Sequence, residues 1–245
     1  MTGPTSQFSE KTGCNNCIMR GLGLCEVAIG LGLDHPDPGG AVPISQKTLS
    51  APARRTVFRK NELMDSVPIV CEGWAVSVAG LSNGRQQILS ILLPGDLLSG
   101  SLLFEQRLSW SVNAVTEVCC RCFNRSELRD VLATSPKTFD RLSLAYTVER
   151  NRIDQLAIDL GQRTAEQRVA RLILTLRDRL AERGWVHDQA FDFPLRQTHI
   201  ADATGLTSIH VNRVIGGFRS HGLVEISDRS LKIVNPEGLR NLAEG

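Results

Sequence analysis

The second half of this chain contains no cysteine: all seven lie at or before Cys122 in a sequence of 245 residues. A secreted disulfide framework is normally even in count and spread through a small domain, so this distribution points to a reducing, cytoplasmic setting. Long apolar runs are missing too. The nearest candidate, Gly21 to Leu33 behind Arg20, is interrupted by Cys25 and Glu26 and lacks a small-residue cleavage site. It is also too short to span a bilayer, so no membrane association is expected. Net charge is scarce, at +2. That excludes little, because binding to nucleic acid needs only a local positive face. Catalytic signatures are absent as well, with no P-loop, no G-x-S-x-G and no H-x-x-x-H pair. Cys14 and Cys17 could form the redox pair of a thiol oxidoreductase, but a thioredoxin-like C-x-x-C belongs at a strand-to-helix turn. Nothing around residue 14 supplies that turn, and an enzyme is not expected.

What is present divides the chain into four stretches. Hydrophobic residues at 42% and charged residues at 22% are ordinary for a globular protein, and the length suits two modest domains. Residues 1–40 form an arm that carries C-x2-C-x7-C at Cys14, Cys17 and Cys25 and ends in the loop-forming D-H-P-D-P-G-G. Residues 41–134 break into the short apolar runs V-P-I-V-C, W-A-V-S-V, I-L-S-I-L-L and V-N-A-V-T-E-V. Trp74, Val76 and Val78 alternate with the period of a strand, and Ser82-Asn83-Gly84 follows as a hairpin turn. A small β-sandwich or barrel is predicted. Over 135–162 the period becomes helical, with Leu142, Ala145, Val148 or Glu149, Arg152 or Ile153, Leu156 and Leu160 along one stripe. That stripe suits pairing with a second copy of the chain, with a helix packed on its own domain as the alternative. Residues 163–245 open with the capping box Thr164-Ala165-Glu166-Gln167, followed by Val169, Leu172, Ile173, Leu176 and Leu180 at helical spacing and a stop at Gly184.

Between Leu195 and Ser220 the offsets predict a helix-turn-helix. Ala201 is small enough for close helix crossing, Gly205 permits a left-handed turn, and Leu206, Val211 and Val214 supply the apolar contacts. On a helical wheel at about 100° per residue, Val214, Ile215 and Phe218 fall within about 60° of Val211. The opposite face then carries Ile209, Arg213 and Gly216, with Asn212 on its flank and Ser208 near the helix start. An outer face of this kind can enter the major groove, where Arg pairs with guanine and Asn with adenine. Arg213 is the first candidate for a base contact. From Pro194 to Gly222 the one acid is Asp202, against Arg196, Arg213 and Arg219. The run H-G-L-V-E-I-S-D-R-S-L-K-I-V that follows predicts a two-stranded wing, in which Arg229 and Lys232 can meet phosphate.

The cysteines admit three readings. Cys119, Cys120 and Cys122 crowd together, so one of them could join the arm in a four-thiolate site. Soft thiolates suit an iron–sulfur cluster or tetrahedral zinc, while unligated cysteines behave as small apolar core residues. In a strand Cys119 shares a face with Arg121, and Cys120 and Cys122 take the other. Of the five histidines, His199, His210 and His221 lie in the helix-turn-helix region and His35 and His187 in predicted loops, a distribution that does not favour haem.

Gly84–Leu97, G-R-Q-Q-I-L-S-I-L-L-P-G-D-L, resembles the segment between barrel strands in the Crp/Fnr family of transcription regulators. Residues 193–224 resemble that family's winged helix. The resemblance covers nearly the whole chain and implies an α+β fold: an N-terminal cyclic-nucleotide-binding-type β-barrel (jelly roll), a long dimerisation helix and a C-terminal winged helix-turn-helix. It also implies a homodimer on a roughly palindromic double-stranded DNA operator, acting with RNA polymerase. The C-x2-C-x7-C arm is similar to the Fnr branch, which implies an oxygen-labile [4Fe–4S] cluster on Cys14, Cys17, Cys25 and a barrel cysteine, and control of genes for low-oxygen metabolism. Ungapped alignment places the family's fourth cysteine at Arg121, so Cys119 ranks first for that role and Cys122 second. A zinc-stabilised regulator and a regulator with no cluster are the alternatives. Fnr-like members carry Glu-x-x-Ser-Arg where this chain has Ile209-His210-Val211-Asn212-Arg213, so a different operator is expected. Glu105 and Arg107 are off the pattern of a cyclic-nucleotide pocket and are expected to be surface charges.

Overall fold

The computed structural model describes residues 45–245; the cysteine-bearing arm lies outside them. Seven strands open the described chain: β1 (Gln46–Ala51), β2 (Thr56–Phe58), β3 (Ser66–Glu72), β4 (Ala75–Gly80), β5 (Gln86–Leu92), β6 (Ser111–Ala114) and β7 (Val118–Asn124). They form two antiparallel sheets, ordered β1-β7-β3 and β2-β6-β4-β5. The expected jelly roll is therefore two sheets facing one core rather than a closed cylinder. Val67, Ile69 and Val70 of β3, Cys120 and Cys122 of β7, and Val112 and Ala114 of β6 meet in that core. Gly73 makes the β3–β4 corner with φ of +79°, where a Cβ would lie 1.8 Å from the Glu117 carbonyl oxygen. Only glycine fits there.

Two helices follow the strands: α1 (Arg125–Thr134), capped by the Asn124 side chain accepting from the Glu127 N–H, and the long α2 (Pro136–Gln162). Part of the stripe expected to pair with a second copy lies against its own chain. Leu142 is buried in the core between the sheets with Ala145 against it, and Leu156 and Leu160 line a cleft shared with β5. A half-buried sheet needs apolar cover, and the most apolar side of α2 supplies it. Turned outward instead are Leu144, 66% exposed, Val148, Asn151 and Ile158, which follow one another at near-heptad spacing.

The capping box at Thr164 starts α3 (Ala165–Ala181), with the Gln167 N–H donating to Thr164 Oγ1 and the Thr164 N–H to Gln167 Oε1. Val169, Ile173, Leu176 and Leu180 are buried along it. Beyond lie β8 (Ala190–Asp192), α4 (Gln197–Thr204), α5 (Ser208–Ser220), β9 (Val224–Ser227), β10 (Ser230–Ile233) and α6 (Pro236–Glu244). The sequence pattern missed β8, which makes the wing three-stranded in the order β8-β10-β9. It also missed α6, although Asn235-Pro236, a capping side chain followed by proline in the first helical turn, is a start signal.

The two halves of the described chain share one apolar cluster. Trp74, Val76, Val78, Ile88 and Ile91, on the side of the four-stranded sheet turned away from the first core, pack with Val169, Ile173, Leu176 and Ile200. Burying each such side chain contributes about 1.5 to 3 kcal/mol. Beside this contact, Asp96 in the turn after β5 accepts from Arg183 Nη2 at 2.9 Å and from Arg179 Nη2, both on or just after α3. The same guanidinium groups donate to the carbonyls of Ile91 and Pro94, each at 2.8 Å. A third arginine, Arg152 of α2, stands 3.9 Å from the carboxylate. Burial pulls the Arg179 guanidinium down to about 10, opposed by Asp96, so that guanidinium stays charged at neutral pH.

Two expectations follow. Asp96→Ala leaves two buried arginines without their carboxylate, and should cost about 3 to 5 kcal/mol in urea unfolding. The exposed Arg107→Ala should stay within about 0.5 kcal/mol. In α4 the Arg196 N–H donates to His199 Nδ1 at 3.1 Å, and burial, aided by Arg196 and countered by Asp202, holds His199 below the ordinary imidazole value. The unfolded chain then takes up the proton first. Stability should therefore decline as pH falls below the ordinary histidine value of about 6.5. His199→Gln, which can still accept from the Arg196 N–H, should flatten that decline in thermal melts across pH 5 to 7.

Candidate functional site

The helix-turn-helix is assembled by the residues that its spacing singled out. Ile200 and Ala201 are buried on α4, and Val211, Val214, Ile215 and Phe218 are buried on α5. Between them Gly205 takes φ of +68°, and the Leu206 N–H donates to the Ala201 carbonyl at 3.0 Å. A Cβ at Gly205 would lie 3.0 Å from Leu160 of α2, so this turn also sits against the long helix. Thr207 caps α5 by accepting from the His210 N–H at 3.2 Å.

The burial of one face leaves the other to solvent. Ile209 is 78% exposed, and Asn212, Arg213 and Gly216 are exposed with it, while Ser208 is half-buried at the helix start. An isoleucine so open on a helix gains nothing from the core, whereas a base methyl group offers it an apolar partner. Gln197, the first residue of α4, donates from Nε2 to Asn212 Oδ1 at 2.9 Å. Sequence reasoning passed over Gln197, because a contact between two helices leaves no mark in periodicity.

The wing flanks this face. Asp228 and Arg229 both take positive φ at the β9–β10 turn, and Arg229 and Lys232 are exposed. Arg219, near the end of α5, donates to the Ile226 carbonyl at 3.1 Å and ties the wing to the helix. Its role in the sequence reading was only as a positive charge.

The thiols separate by face, as strand alternation requires. Cys120 and Cys122 are buried in the core between the sheets, where burial pushes both thiols up, Cys122 to about 11. Cys119 is half-buried on the opposite face of β7, paired across the sheet with Ser50 and Glu72. Burial raises its thiol, and a hydrogen bond with Ser50 opposes that rise. A soft metal centre needs a thiolate that an approaching group can reach, and of the three β7 cysteines Cys119 fits that need. Cys71 of β3, which the sequence reading did not weigh, is also half-buried, with its thiol 3.8 Å from the Ile69 carbonyl. Among the described residues no group of three or more His, Cys, Asp or Glu could hold a metal ion. Cys14, Cys17 and Cys25 lie outside the described residues. Glu105 and Arg107 are exposed, and Arg107 donates to the Asn61 carbonyl at 2.8 Å.

Comparison with known proteins places both halves. Residues 48–135 match the cyclic nucleotide-binding domain, and residues 167–242 match the Crp-like helix-turn-helix domain. The chain is 29% identical to the transcriptional activatory protein AadR of Rhodopseudomonas palustris, over 93% of this chain and 92% of that one. It is 26% identical to the transcriptional activator protein FnrA of Stutzerimonas stutzeri, over 95% and 93%. Its fold is similar to that of FixK2 from Bradyrhizobium japonicum, with a TM-score of 0.73 and 23% identity over 81% of this chain and 97% of that one. No described helix is long and apolar enough to cross a membrane. With its β-sandwich joined to a winged helix-turn-helix whose outer face is open, the chain belongs to the Crp/Fnr family, as a DNA-binding transcriptional regulator.

Proposed function

We propose that this regulator responds to oxygen or redox state through a [4Fe–4S] cluster held by Cys14, Cys17, Cys25 and Cys119, and controls genes of low-oxygen metabolism. One observation carries the reading: Cys119 stands on the face of β7 turned away from the core, while Cys120 and Cys122 are sealed inside it. The soft thiolate donor set is the one such a cluster takes. When bound, the cluster would supply an oxygen-labile cross-link between the arm and β7. The relationship to proteins named as Fnr-type activators supports the same reading.

DNA is read by α5. Arg213 donates two hydrogen bonds to a guanine edge in this reading, and Ile209 packs on a thymine methyl group. Ile209 cannot accept from a cytosine amino group, which supports a half-site different from that of members with glutamate there. The outward stripe Leu144, Val148, Asn151 and Ile158 on α2 is the surface for pairing with a second copy. A dimer would set two copies of α5 on a roughly palindromic operator, with RNA polymerase as the partner acted upon. The exposure of Glu105 and Arg107 supports a regulator that does not use cyclic AMP.

Arg213→Ala should weaken specific operator binding by about 1 to 3 kcal/mol in a titration at fixed salt. Protein purified without oxygen should contain iron and acid-labile sulfide. Replacing Cys14, Cys17, Cys25 or Cys119 by serine should deplete both, while Cys122→Ser should retain them and lower the melting temperature instead. Colourless protein containing zinc, or no metal, would sink the cluster and leave DNA binding untouched.

A further inference from the structure

Asn212 sits on the outer face of α5, and its side-chain oxygen accepts one hydrogen bond from a residue of α4. An asparagine amide offers one oxygen, able to accept two hydrogen bonds, and two N–H donors. A bidentate contact with adenine uses both ends of the amide, the oxygen accepting from N6 and the nitrogen donating to N7. Here the oxygen accepts from Gln197 Nε2 at 2.9 Å. Both residues are exposed on the open side of the helix-turn-helix.

The two helices that bring the pair together are fixed. Ala201 and Val211 are buried between them, and the Leu206 N–H bonds to the Ala201 carbonyl across the left-handed turn at Gly205. The packing therefore fixes the backbone of Gln197 relative to that of Asn212 and keeps the two side chains within reach of each other. We propose that Gln197 is a specificity-determining positioning residue, which holds the Asn212 amide so that its NH2 group faces the major groove. The half-site position beneath Asn212 should then carry an acceptor, N7 or O6 of a purine or O4 of thymine. This rests on the placement of α5 in the groove and adds to it the orientation of one side chain.

The other role open to a glutamine at a helix start is donation to phosphate, and the two roles separate by experiment. Phosphate contacts carry no sequence information and contribute to the salt dependence of binding. Full-length protein prepared without oxygen, as wild type and as Q197A, N212A, Q197A/N212A, Q197E and R213A, would be titrated against double-stranded half-site libraries at several salt concentrations. If Gln197 orients Asn212, Q197A and N212A each reduce discrimination at the same single position, from about tenfold to near even. The double variant is no worse than the more affected single one. Q197E cannot donate to the Asn212 oxygen, so the amide turns over and preference at that position shifts to bases with an exposed amino group, adenine or cytosine. A 7-deazapurine there weakens wild type and leaves N212A unchanged if the acceptor is N7.

Uniform weakening of Q197A on all sequences, with a shallower salt dependence, would assign Gln197 to phosphate and overturn the proposal. So would unchanged base preference in Q197A and Q197E. An R213A variant that bound as tightly as wild type would overturn the groove placement of α5 itself, and that failure is distinct because it is read at a different side chain and a different base.

Discussion

Two guanidinium groups buried against one carboxylate set the relation between the halves of this protein. Asp96 accepts from Arg179 and Arg183 and from the Leu93 N–H at 2.7 Å, so its oxygens are committed to the turn that carries it and to the far end of α3. A buried ion pair adds little net stability over well-packed apolar residues of the same size, because desolvating both charges costs most of what their attraction returns. Its effect lies in geometry. The apolar contact of Trp74, Val76, Val78 and Ile91 with α3 favours burial without choosing one angle, and the directional bonds to Asp96, Ile91 and Pro94 choose it. With α3 held, α4 and α5 are held through their packing on it, and the exposed face of α5 points one way.

The same economy governs α2. One side covers the sheets through Leu142 and Ala145 and lines a cleft with β5 and α3 through Leu156 and Leu160, leaving a second, less apolar side to solvent. A long helix with two usable sides can serve its own chain and a partner at once. Asn151 in the middle of the outward stripe makes the proposed seam weaker than an all-apolar one.

Much of the fold was legible in the residues because it rests on short-range rules. The Thr164–Gln167 box, Gly205 in its left-handed turn, the period of α3 and the buried side of α5 all follow from spacing within a few residues. The alternation of Cys119 with Cys120 and Cys122 across β7 was legible for the same reason. The illegible parts join residues far apart in the chain. Period three and four marked Leu142 to Leu160 as an apolar stripe but could not say whether a partner or the sheet would cover it. Asp96 with Arg179 and Arg183 and Gln197 with Asn212 are pairings between elements, and no local pattern announces them. The short β8 was missed because three residues bounded by loops carry too little alternation to register.

The position of Val70 gives the β3–β7 pairing a meaning beyond architecture. Val70 stands opposite Cys120 across the sheet, next to Cys119 on β7. Its own backbone closes a two-bond ring with the following turn, its N–H donating to the Asp96 carbonyl at 3.0 Å and its carbonyl accepting from the Gly95 N–H at 2.8 Å. The strand that carries the accessible thiol and the turn that carries the carboxylate thus share one residue as a pivot. A shift of Val70 would either break that ring or move the turn that carries Asp96, whose carboxylate accepts from Arg179 and Arg183.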